Sequence, residues 1–70
     1  MSLNHTIRKD IEIGATVDVV LKVDQPTGKL TRGQVARILT NSPTHHRGIK
    51  VMLTTGQVGR VQKILTTEKK

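Results

Sequence analysis

Ile49-Lys50-Val51-Met52-Leu53-Thr54-Thr55-Gly56-Gln57-Val58-Gly59-Arg60-Val61 is the stretch that decides the architecture. Apolar residues at 49, 51 and 53 alternate with 50 and 52, the period of two that an extended backbone imposes on its side chains. Thr54-Thr55-Gly56 supplies a tight turn, and alternation resumes from Val58 to Val61. A hairpin is predicted, with Ile49, Val51, Leu53, Gly59 and Val61 facing inward. Glycine at an inward strand position predicts a close approach of neighbouring backbone at Gly59. The same register leaves Lys50, Arg60, Met52 and Val58 outside.

Working upstream, Ile13-Gly14 leads into Thr16 to Lys22, where Val17, Val19 and Leu21 share one face and Asp18 and Lys22 the other. Gln25-Pro26-Thr27-Gly28 reads as a turn, with Pro presetting φ and Gly relaxing the exit. Gly33 to Leu39 is a second strand. Val35 and Ile38 stand three apart rather than two, so a bulge or sharp bend is expected at Ala36 or Arg37. Asn41 to Gly48 is a loop, and Ile64 is expected to cap the assembly through a short turn or a fifth strand.

No stretch sustains apolar i, i+3, i+4 spacing, and glycines interrupt every helical candidate. Four or five short antiparallel strands must curl to bury one face. The expected fold is all-β: a small half-open barrel. Residues 1–10 read as a flexible N-terminal segment, 11–65 as the barrel domain, and 66–70 as a charged tail. Both ends are expected to be loose unless Ile7 or Ile11 is tied to the body.

Seventy residues suffice for one core only. Cysteine is absent, which excludes disulfides and thiolate metal sites. The first ten residues carry no apolar core of a signal peptide, and no apolar run approaches the ~20 residues of a membrane span. A cytoplasmic protein without membrane contact is expected. Twelve Lys and Arg against five Asp and Glu give a net charge of +7, a field that attracts polyanions. Phe, Tyr and Trp are all absent. Aromatic cages, proline-rich peptide grooves and base-stacking platforms therefore have nothing to be built from. Charge, hydrogen bonds and shape remain.

Two resemblances accompany these patterns. Gly14-x-x-Val17-x-Val19, Gly33-x-Val35-x-x-Ile38 and Val51-x-Leu53 with Gly56-x-x-Gly59-x-Val61 resemble the layout of KOW-type and other SH3-like small barrels. That layout implies contact with RNA or protein. The loop before Gly33 is longer than in KOW motifs and their usual aromatics are missing, so a KOW-like contact mode is an analogy. Gln25-x-Thr27-Gly28-Lys29-Leu30-Thr31, Ile38-Leu39-Thr40-Asn41-Ser42, His45, Gly48-Ile49-Lys50-Val51 and Gly56-Gln57-Val58-Gly59-Arg60-Val61 form a second set. On these residues the chain, over roughly residues 8 to 65, is similar to the YwbE-like family of small basic bacterial proteins. The resemblance implies a barrel and assigns no catalytic or binding residue.

Catalytic and ligand motifs are weak by comparison. Gly28-Lys29 with Thr31 lacks the earlier glycine, the adjoining Ser or Thr and the following helix of a phosphate-binding loop. His45 and His46, if extended, point opposite ways and chelate no common ion. Asp10 and Glu12 could share a face, but they precede the barrel and nothing is expected to enclose them. Ser42 and His45 have no evident acid partner. No catalysis, metal, cofactor or small-molecule substrate is expected.

The outward cations are the strongest candidates. Lys50 and Arg60 form the centre of an expected basic stripe, with Arg37 on the preceding strand, Arg47 and the two histidines at one end, and Lys63 beyond the last strand. Lys29 and Arg32 occupy another loop. Such a stripe suits phosphate oxygens, and each Arg fork can bind two of them. The expected function is a non-catalytic nucleic-acid module, with RNA foremost. The alternative is a protein-docking surface on Met52 and Val58 with exposed strand edges, associated with the ribosome or transcription.

Overall fold

In a computed structural model of the chain, residues 4–66 are described. Four strands make the body: β1 (Thr16–Leu21), β2 (Thr31–Ile38), β3 (Lys50–Leu53) and β4 (Val58–Thr66). Each pairs antiparallel with the next, and β4 pairs with β1, so the sheet closes into a barrel. The fold is all-β, consistent with a small SH3-like barrel, and its helical content is confined to the 3-10 turns Arg8–Asp10 and Lys22–Asp24. No helix among the described residues is long and apolar enough to cross a membrane.

Closure goes one step beyond the half-open form expected, and β4 is the reason. Its first residues pair with β3 (Lys50↔Arg60, Val51↔Gly59, Met52↔Val58), while Gly59 onward pairs with β1. Ile64, expected in a cap or fifth strand, belongs to this same strand, opposite Val17. Register shifts between Thr16 and Val17 and between Asp18 and Val19 place the extra residues on β4 at Leu65 and Gln62. Such bulges strengthen the local twist and help so few strands curl into a ring.

On β2 the register shifts between Val35, opposite Leu53, and Arg37, opposite Met52, so Ala36 is the bulged residue. This is the bend that the spacing of Val35 and Ile38 predicts. Arg37 is turned outward with Met52, and Ile38 packs against the core.

The buried core consists of Ile11, Ala15, Val17, Val19, Val35, Ile49, Val51, Leu53 and Val61. All three inward side chains of β3 and its lead-in are there, as alternation requires. Burying each such side chain is worth about 1.5–3 kcal/mol, and this is the term that closes the ring. A Cβ at Gly59 would lie 2.7 Å from the Val20 carbonyl oxygen, the close backbone approach expected of that glycine.

The N-terminal segment is held against the barrel from Asn4 onward. Ile7 bridges to Thr44, the His45 amide donates to Thr6 O, the Ile49 amide to His5 O, and the Arg8 amide to Pro43 O. Arg8 Nε also donates to Thr40 O at 2.8 Å. Ile11 is buried, so the condition set for a tied end is met. The expected charged tail lies outside the described residues except for Thr66, which ends β4.

Candidate nucleic-acid interface

The interface begins with two cross-strand pairs. Lys50 on β3 faces Arg60 on β4, and Arg60 faces Val20 on β1, so one row crosses three strands on the outer surface. Among the described residues neither cation is seen in an ion pair with an acid: Lys50 is exposed, and Arg60 donates through a guanidinium nitrogen to the Gly48 carbonyl at 3.1 Å. Two positions along, Arg37, Met52 and Val58 form a parallel row across β2, β3 and β4.

Two clefts adjoin at Arg60. One, of ≈ 340 Å³, is lined by Val20, Lys22, Gln25, Lys50, Val58, Gly59 and Arg60. The other, of ≈ 230 Å³, is lined by Val20, Gln25, Gly28, Arg47, Arg60 and Gln62. Val20, Gln25 and Arg60 are common to both, so the clefts form one trough whose polar walls are cationic or neutral. Unbalanced cations on a concave surface concentrate positive potential there and raise the local density of anions.

Side chains of β4 hold the loop at one end of the trough. Arg60 bonds Gly48 O, and Gln62 Nε2 donates to Arg47 O at 3.1 Å. Gly48 itself has φ +104, and a Cβ there would collide with the Val61 carbonyl. The loop therefore presses flat on β4, carrying Arg47 to the trough. His45 and His46 are stacked, with centroids 5.2 Å apart and planes 7° from parallel. Sequence spacing placed these rings on opposite sides. Residues 46 and 47 form a turn instead of extended chain, which brings the rings together. His45 Nδ1 accepts the Arg47 amide proton at 3.2 Å, and its pKa is held below the ordinary value by lost hydration, then by the charges of Arg60, His46 and Arg47.

Of the expected cations, the structure brings Lys50, Arg60 and Arg47 together. Arg37 lies beyond the Met52–Val58 pair. Arg32 is committed elsewhere: its Nε bonds Asp18 Oδ1 at 3.0 Å, and this contact raises its pKa. Asp18, expected to face solvent, is the one buried charged residue among those described, covered from β2 by that guanidinium. Lys63 stands opposite Asp18 on β4, in the register row of Arg32 and not in that of Lys50 and Arg60. Lys29 is exposed after the turn and lines neither cleft. Lys22 and Gln25 were not singled out. They reach the trough because the 3-10 turn Lys22–Asp24 folds the chain back beside Val20, and no spacing rule reports that fold-back.

The protein-docking alternative rests on exposed strand edges with Met52 and Val58. Every strand of the closed barrel has two neighbours, yet parts of the long strands are paired on one side: Thr31–Gln34 of β2 and Lys63, Ile64 and Thr66 of β4 pair with β1 and not with β3. Met52 and Val58 are paired across β3 and β4 and half-buried.

A family model described as Uncharacterized conserved protein (DUF2196) matches residues 4–64. The chain is 54% identical over 65 residues to a Bacillus subtilis (strain 168) protein described as Uncharacterized protein YwbE, an alignment spanning 93% of this chain and 100% of the relative. No solved structure matches.

Proposed function

We propose for this chain, which belongs to the family described as Uncharacterized conserved protein (DUF2196), a non-catalytic role as a nucleic-acid-binding module, with RNA its foremost partner. The observation that carries the reading is the trough around Arg60, which gathers Lys22, Lys50, Arg60 and Arg47 and has no acid among the described residues that line it. Phosphate oxygens are the ligand such walls suit, with Arg forks adding two-point contacts and Lys a point charge. With no Phe, Tyr or Trp in the chain and no ring among the described residues that line the trough, recognition rests on backbone charge and shape.

The test is the salt dependence of binding to a structured RNA. Contact with five or six phosphates gives a log–log slope of roughly −4 to −5, and Lys50→Ala with Arg60→Ala should reduce its magnitude by about 2. Arg60 also supports the loop through Gly48, so Lys50→Ala alone, at an exposed site, serves as the fold-neutral variant and should reduce the magnitude by about 1. Undetectable binding at ~50 mM salt, or binding indifferent to salt, defeats the reading. Capture of a protein partner that survives nuclease and is lost in Met52→Glu would favour the docking surface in its place.

A further inference from the structure

The trough also has neutral polar groups, Gln25 and Gln62. Its two ends are cationic: Lys22 and Lys50 on one side of Arg60, and Arg47 on the other. A phosphate chain lying along it meets positive charge at both ends, with a sugar between. Gln25 lines the stretch common to both clefts. Its carboxamide both donates and accepts hydrogen bonds. Gln62, at the Arg47 end, has an amide proton engaged with Arg47 O and keeps its oxygen as an acceptor. A ribose 2′-hydroxyl likewise donates and accepts, and deoxyribose lacks it.

The trough is floored by Val20 and Gly59, an aliphatic side chain and a bare backbone. No aromatic ring is among the described residues that line it, and an unpaired base would have only the guanidinium planes of Arg60 and Arg47 to stack on. The phosphates also need those groups, so a single strand that must splay its bases is less well served than a duplex. A duplex keeps its bases stacked on one another. In an A-form duplex the minor groove is wide and shallow, and it presents 2′-hydroxyls beside the phosphates.

We infer that the trough takes the minor-groove edge of double-helical RNA, with phosphates on Lys50, Arg60 and Arg47 and a ribose 2′-hydroxyl on Gln25. This rests on the nucleic-acid reading above and adds to it a helix form, a sugar and a discriminating residue.

The experiment compares four labelled probes of one sequence and on the order of 16 base pairs or nucleotides: duplex RNA, duplex DNA, single-stranded RNA and 2′-O-methyl duplex RNA. Binding is measured at one fixed salt concentration for the intact chain and for Gln25→Ala. Duplex RNA should bind about fivefold more tightly than duplex DNA and the methylated duplex, the ratio that one net hydrogen bond supports, and also more tightly than single-stranded RNA, which lacks the stacked helix form. Gln25→Ala should bring the ratio of duplex RNA to duplex DNA affinity down to about one. The methylated duplex keeps the A-form and blocks the hydroxyl, so it separates hydroxyl reading from shape reading.

Equal affinity for duplex RNA and DNA overturns the inference and leaves the backbone-charge reading standing. Tighter binding of single-stranded RNA does the same. An RNA preference that survives Gln25→Ala removes Gln25 from the role. Binding to none of the probes at ~50 mM salt overturns both readings together.

Discussion

His45 couples the loop to the basic trough. Its ring is half-buried, stacked on His46 and hydrogen-bonded to the Arg47 amide, and its pKa is depressed from 6.5 by lost hydration and then by neighbouring charge. The sign of the consequence follows from linkage. Below pH 6.5 the unfolded chain takes up a proton that folded His45 resists, so stability declines as pH falls, until the folded ring protonates too. Under the proposed function, a phosphate bound beside Arg60 and Arg47 would offset two of the charges that depress the pKa of His45. Binding then takes up a proton, and affinity should increase as pH drops from about 7.5 to 5.5 through the ordinary His range. Melting curves and RNA titrations over that range, with His45→Asn as the comparison, check both slopes. The variant should flatten each, and an affinity that weakens toward acid pH would contradict the arrangement.

Between elements, the contact of β4 with β1 is the tightest point of the ring. A Cβ at Gly59 would sit 2.7 Å from Val20 O and 2.9 Å from Val19 Cγ2, so there is backbone on one side and core on the other. Gly59→Ala should therefore cost roughly 1–3 kcal/mol, as overpacked sites do. At Gly28, where φ is +75 and no atom lies within 4 Å of the added carbon, the change to Ala carries only the backbone strain, about 1 kcal/mol. Denaturant midpoints for the two variants decide it, and equal midpoints would mean that the strands part easily at this crossing.

Much of this level was readable from the residues. Alternation from Ile49 to Val61 assigns every inward position of the hairpin, because period two is a local property of extended chain. The three-residue step from Val35 to Ile38 locates the bulge for the same reason. The full length of β4 was not readable: extra residues at Gln62 and Leu65 interrupt the alternation that would have announced it.

For the molecule as a whole, the least legible contacts are those made by main chain alone. Residues 5 to 8 meet the 43–49 loop through carbonyls and amides, leaving no side-chain pattern to read. Removing residues 1–10 strips partners from the amides of His45 and Ile49 and from Pro43 O. At about 1 kcal/mol for each hydrogen bond, a loss of roughly 2–4 kcal/mol is expected. Chemical denaturation of the shortened chain measures it, and an unchanged midpoint would show the segment to be dispensable. The candidate site divides along the same line. Lys50 beside Arg60 follows from hairpin register, whereas Lys22, Gln25 and the diversion of Arg32 to Asp18 depend on how the ring closes.

Nine buried side chains fill the middle of the ring. Alternate positions on β3 and β4 then carry separate instructions, one set read by the interior and the other by the surroundings. Over generations the outer set can be rewritten residue by residue, changing what the barrel recognises while the same scaffold persists beneath.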